Sequence, residues 1–94
     1  VLKRDGHTCR YCGGRATTAD HVIPGLPIEY LLTVPALAVA ACLPCNSSKR
    51  ALDLEYWVAS NRAPAEAQAV LDALRPLIAE AQEWMRQQAA VFPT

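Results

Sequence analysis

The sequence carries no excess of charge: nine basic residues balance nine acidic ones over 94 positions. A chain that coats nucleic acid electrostatically over its whole surface is thereby excluded, because that mode needs a broad surplus of Lys and Arg. Long apolar runs are missing too. The longest, over residues 34–43, is interrupted by Pro35 and is too short to span a bilayer. No internal repeat and no low-complexity tract is present, which leaves an ordinary globular composition. Nothing at the start resembles a secretory leader and the first residue is not Met. The expectation is a processed or excised chain with a cytoplasmic setting.

The balanced total hides an asymmetry. Residues 1–50 hold six cations against three anions, and residues 51–94 hold three cations against six anions. An anionic partner would therefore approach the first half. A chain of this length makes one domain, near the lower end of what a single apolar core stabilises.

All four cysteines fall in two identical spacings, Cys9-Arg10-Tyr11-Cys12 and Cys42-Leu43-Pro44-Cys45. Each CxxC turn can place two thiolates on one ion, and two turns complete a tetrathiolate zinc site. Gly13 and Gly14 after the first pair, and Pro44 inside the second, suit cramped turns. Two alternatives stand beside zinc. One is a pair of disulfides, which belongs to exported proteins. The other is a redox dithiol, which needs one CxxC in an α/β pattern that this chain lacks. A four-thiolate zinc site is structural, because it leaves no position open to substrate.

Such a clamp would bring the ends of residues 13–41 together. On the outgoing arm lies TADHVIPG, residues 18–25. Residues 18–23 predict a short strand stopped by Pro24-Gly25, followed by a Pro-rich loop over 24–36, whose apolar centre at 28–32 can pack or form a helical turn, and a return strand over 37–41. A helix is expected over 46–51, and a second over 54–60 with Asp53 as its cap and Asn61 near its end. A third opens at Pro64. Its apolar positions, from Ala67 through Val70, Leu71, Leu74, Leu77, Ile78 and Ala81 to Trp84 and Met85, keep helical spacing, with Pro76 expected to kink or split it. This helix is read as a cover for the core, and Trp57 and Trp84 as anchors rather than base-stacking platforms. The fold class is α+β: a zinc-stapled ββα unit over residues 1–52 and a helical extension over 53–94, packed as one domain.

Within that unit Asp20 and His21 stand on the first strand, and Asn46 begins the helix after the second zinc turn. A carboxylate and an amide oxygen suit a hard divalent cation. An imidazole suits a general base at neutral pH. Arg10, Arg15, Lys49 and Arg50 could hold phosphate. Neighbouring strand residues point to opposite faces, so Asp20 and His21 can share a site only if the strand bends, bulges or ends there. Other readings stay open: His21 as a hydrogen-bonding residue of the hairpin, Asn46 as a helix N-cap, and Lys49 and Arg50 as solvated helix charges.

RDGHTCRYCGGRATTADHVIP followed by AACLPCNSSK resembles the zinc-stapled branch of the HNH, or ββα-metal, nucleases, over about residues 3–50. The resemblance implies His21 as general base, Asp20 and Asn46 as holders of one Mg²⁺ or Mn²⁺ ion, and Cys9, Cys12, Cys42 and Cys45 as ligands of a structural zinc. It implies hydrolysis of phosphodiester bonds in DNA, expected to be double-stranded, leaving a 5′ phosphate. Two departures accompany it. Leu37 stands where the family has an asparagine that braces the hairpin, and the loop over 24–36 is apolar where the family's is basic. A catalytically weakened relative that binds nucleic acid or a protein therefore remains open. So does an interaction module that docks a partner, or a second copy, through its C-terminal helices.

Overall fold

A computed structural model describes residues 1–91; residues 92–94, the end of the expected helical extension, lie outside the described residues. The fold is α+β. Two short strands, β1 (Thr18–His21) and β2 (Ala38–Ala41), pair antiparallel in an unbroken register from Thr18↔Ala41 to His21↔Ala38. Between them run α1 (Ile28–Thr33) and a 3-10 turn, Pro35–Leu37. After β2 come α2 (Leu43–Lys49), α3 (Leu54–Ala59) and the long α4 (Ala67–Val91).

Several boundaries differ from the sequence expectation, each for a local reason. The first strand ends at His21: Val22 still donates to the carbonyl of Leu37, one pair further along the same register, but there the partner segment is the 3-10 turn and no longer β2. Leu37 therefore belongs to that turn and not to the return strand. Within the loop segment the apolar centre, residues 28–32, takes the helical form open to it, as α1, whose Leu31 is buried. The next helix starts at Leu43 and not at 46: Cys42 occupies the N-cap, its Sγ accepting the Cys45 N–H at 3.4 Å, and Pro44 fills an early position where no N–H is needed.

α3 ends as its residues suggest, with Asn61 at φ 63° just beyond it. Asp53 stands at its N-cap position without a side-chain bond to the helix. Turns over residues 64–69 delay α4 to Ala67. Pro76 does not divide α4. Both Pro76 and Asp72, whose carbonyl loses its partner, are exposed, so water can satisfy that carbonyl, while Leu71, Leu74 and Ile78 keep the helix seated on the core.

One apolar cluster joins both halves, from Tyr11, Val22, Leu37 and Val39 to Leu54, Trp57, Leu71 and Ile78. The two tryptophans are anchors. Trp57, fully buried, meets Tyr11 edge-on at 5.1 Å and donates to Ser48 Oγ at 2.9 Å. Trp84 packs on Tyr30 at 4.9 Å, fastening α4 to α1. Aromatic pairs of this kind add about 0.5–1.5 kcal/mol beyond their buried area.

The outer edge of β2 is covered by the N-terminal segment. Asp5 accepts the Ala40 N–H at 2.9 Å, Arg10 N–H donates to the Ala40 carbonyl at 3.0 Å, and Arg4 donates to Pro35 O at 2.8 Å. A two-stranded sheet has little stability of its own, so this clasp fixes the hairpin.

Candidate functional site

The four cysteines converge. Their Sγ atoms all lie within 4.8 Å of one another. A zinc tetrahedron with bonds of about 2.3 Å has sulfur–sulfur edges of about 3.8 Å, and Cys12 and Cys42 are 3.6 Å apart. That separation is far above a disulfide bond of about 2.05 Å, and all four cysteines are free. The cluster could hold a metal ion such as zinc.

Local backbone builds each half. Around the first pair, Cys9 N–H donates to Gly14 O at 2.7 Å and Gly13 N–H to Cys9 O at 2.9 Å, with Gly13 at φ 82°, a conformation that disfavours a side chain. Gly14 N–H points at Cys12 Sγ, 3.4 Å away. At Cys9 burial opposes ionisation, but N–H groups of Cys42, Cys12 and Tyr11 and the Cys12 thiol outweigh it and bring Cys9 down to about 7. Burial, with the neighbouring thiols, pushes Cys45 up.

Asp20, His21, Asn46 and Arg50 line one open cleft of about 290 Å³, closed on another side by Pro24 and Gly25. The strand has no bulge; the cleft lies over its end, so that the buried Asp20 and the exposed His21 border it from the two faces of β1. His21 is also on the rim of a second hollow of about 260 Å³, walled by Val1, Ile28, Leu31, Leu32 and Pro35.

The carboxylate of Asp20 is held from behind. Its Oδ2 accepts a hydrogen bond from Tyr11 Oη at 2.6 Å and lies 3.1 Å from Lys49 Nζ, so both of these partners engage the same oxygen. Burial and the negative charge of Asp20 both raise the Tyr11 hydroxyl, which stays a donor. Asn46 is the fourth residue of α2, not its cap. Its Nδ2 donates to Thr18 Oγ1 at 3.0 Å, and Thr18 in turn donates to Ala41 O at 2.7 Å. Thr18 thus engages the nitrogen of an amide that lines the cleft.

The four basic residues expected to hold phosphate divide. Arg50 lines the cleft, in a left-handed conformation at φ 53°. Lys49 does not reach outward: it is fully buried, and besides Asp20 it bonds the His21 carbonyl at 2.9 Å. Arg10 lies 3.6 Å from Asp5. Arg15 lines a separate hollow with His7 and Gly13.

Tyr11, Thr18, Arg4 and Asp5 support this arrangement without having been singled out from the sequence. Thr18 and Asp20 alternate along β1, a spacing that puts them on one face, and that signal was available. Tyr11 sits inside the first CxxC, where its partner could not be read. No family model, curated protein or solved structure matches the chain. Among the described residues no helix is long and apolar enough to cross a membrane.

Proposed function

We propose that the protein is a metal-dependent DNA endonuclease of the HNH kind, and that Cys9, Cys12, Cys42 and Cys45 hold a structural zinc ion. One observation carries the reading: the side chains of a carboxylate, an imidazole, an amide and a guanidinium residue (Asp20, His21, Asn46 and Arg50) line a single open cleft. Asp20 and Asn46 are oxygen donors of the type a hard cation such as Mg²⁺ or Mn²⁺ takes. When bound, such an ion neutralises charge on the scissile phosphate.

The chain's own residues do the rest. Exposed at the rim, His21 accepts the proton of the attacking water. Thr18 holds Asn46 by its nitrogen, and Tyr11 with Lys49 holds Asp20 by one oxygen, so both donors are oriented before a ligand arrives. Arg50 offers the cleft a positive charge for phosphate.

Plasmid nicking with Mg²⁺ or Mn²⁺, run beside His21→Ala, tests this. The wild type should nick, and the variant should lose about 10²–10⁴-fold in rate. Equal inertness across metals would overturn it. The burial of Lys49 against Asp20 favours the second reading in that event, a zinc module that binds nucleic acid or a protein without cutting. DNA binding at low salt then tells those two partners apart.

A further inference from the structure

The cleft contains one carboxylate, and its charge is already matched. Lys49 Nζ sits 3.1 Å from Asp20 Oδ2 with 0% of its side chain exposed, so solvent screens the pair little. The other lining groups that could meet a cation, Asn46 and His21, bring no fixed negative charge, and Arg50 brings a positive one. Lys49 cannot swing away: its carbonyl bond to His21 and the buried stem hold it in place. Affinity of an oxygen site for a hard divalent cation follows the number of charged ligands, and Mg²⁺ sites with few carboxylates draw the remaining oxygens from substrate phosphate.

Resting on the nuclease reading, we propose that Lys49 sets the order of assembly: it keeps the Asp20–Asn46 site electroneutral, so that a divalent cation binds firmly only together with a phosphodiester. The phosphodiester supplies the missing negative charge and, through Arg50, a second attachment. By linkage the ion raises affinity for the phosphodiester by the same factor as the phosphodiester raises affinity for the ion. Lys49 is thus a positioning and charge-setting residue, one step behind the reacting atoms. The arrangement would keep the free protein without a bound ion at the cleft at low cation concentrations.

The test is Mn²⁺ titration of the zinc-loaded chain, followed by loss of the free-ion EPR signal, with and without a short DNA duplex. A His21→Ala background keeps the duplex intact, and Asp20→Asn subtracts ions held elsewhere or by DNA alone. Without DNA the Asp20-dependent affinity should be weak, in about the millimolar range, and DNA should tighten it at least about tenfold. Lys49→Met should bind Mn²⁺ at least about tenfold tighter without DNA and gain less from adding it, while Lys49→Arg should behave as wild type. A larger rise in melting temperature with Mn²⁺ for Lys49→Met than for wild type gives a second readout.

Micromolar Mn²⁺ binding by the DNA-free wild type overturns the proposal, as does a Lys49→Met affinity unchanged from wild type. Should Lys49→Met not fold, the comparison of wild type with and without DNA decides alone. Curves identical to Asp20→Asn in every condition would instead sink the cation site itself, and with it the nuclease reading.

Discussion

Lys49 Nζ lies 3.1 Å from Asp20 Oδ2, and both side chains are out of solvent. Removing one partner of such a pair leaves an uncompensated buried charge, whereas removing both can be close to neutral. Lys49→Ala should therefore destabilise the zinc-loaded protein by about 3–5 kcal/mol. Lys49→Met combined with Asp20→Leu should lose clearly less. Urea unfolding followed by circular dichroism measures both. A double variant as unstable as the single one would mean that the pair contributes to the fold beyond mutual charge compensation.

Asp5 should make the hairpin acid-sensitive. Its hydrogen bonds from Arg4 act against burial, with the Ala40 N–H and Arg10 adding to them, and hold its carboxyl down at about 2. A carboxyl depressed on folding contributes stability above its unfolded value of about 3.9, and loses that contribution as pH falls through its folded value. The loss should fall between about pH 4 and pH 2 and amount to about 1–2 kcal/mol, because both arginines are partly exposed and screened. Asp5→Asn should remove most of that acid limb from a stability–pH profile. An unchanged limb would assign the acid sensitivity to other carboxyls.

The features legible in the sequence were those with a fixed spacing. The paired CxxC turns implied a cysteine cluster, and Ala67, Val70, Leu71, Leu74, Ile78 and Ala81 marked the buried stripe of α4 through their three-four spacing. The hairpin was legible because a β-branched run ahead of Pro24-Gly25 and a small apolar run ahead of the second CxxC mark its two arms, although β1 already ends at His21. What stayed hidden depends on three-dimensional partners. Lys49 looks like any helix-face charge until α2 is laid on β1, when its stem runs through the core to Asp20. Asn46 looks like a cap until Cys42 takes that position. Leu37 reads as a missing brace, but it is fully buried, and the hairpin is held by Asp5 and Arg4 from a segment more than thirty residues away.

Metal removal should unfold the domain. With one cluster of apolar residues, two four-residue strands and no disulfide among the described residues, the fold has few other constraints. The cysteine cluster ties the N-terminal segment, β2 and α2 together, and structural zinc contributes its binding free energy to folding. A strong chelator at neutral pH should abolish most of the helical circular dichroism, and added Zn²⁺ should restore it. Helicity retained in full after the metal is shown to be gone would contradict a zinc-dependent fold. Mutation of Cys9 and Cys12 together should mimic the chelator.

Arg50 should trade stability for binding. It follows α2 at φ 53°, ψ −134°, a region that glycine enters readily and a residue with Cβ enters at a cost of about 1–3 kcal/mol. Its N–H closes the helix onto Asn46 O at 2.8 Å, so the conformation is part of how α2 ends beside the cleft. Arg50→Gly should raise stability by about 1 kcal/mol, less than the full strain because glycine also gains freedom in the unfolded chain. Arg50→Ala keeps the Cβ and the strain, and should give no such gain. Both variants remove the same guanidinium from the cleft, so both should weaken binding to a DNA duplex at low salt by a similar factor. If Arg50→Gly is no more stable than Arg50→Ala, the left-handed turn is unstrained. If neither variant changes DNA affinity, the guanidinium is an ordinary solvated charge and phosphate must be held by other groups.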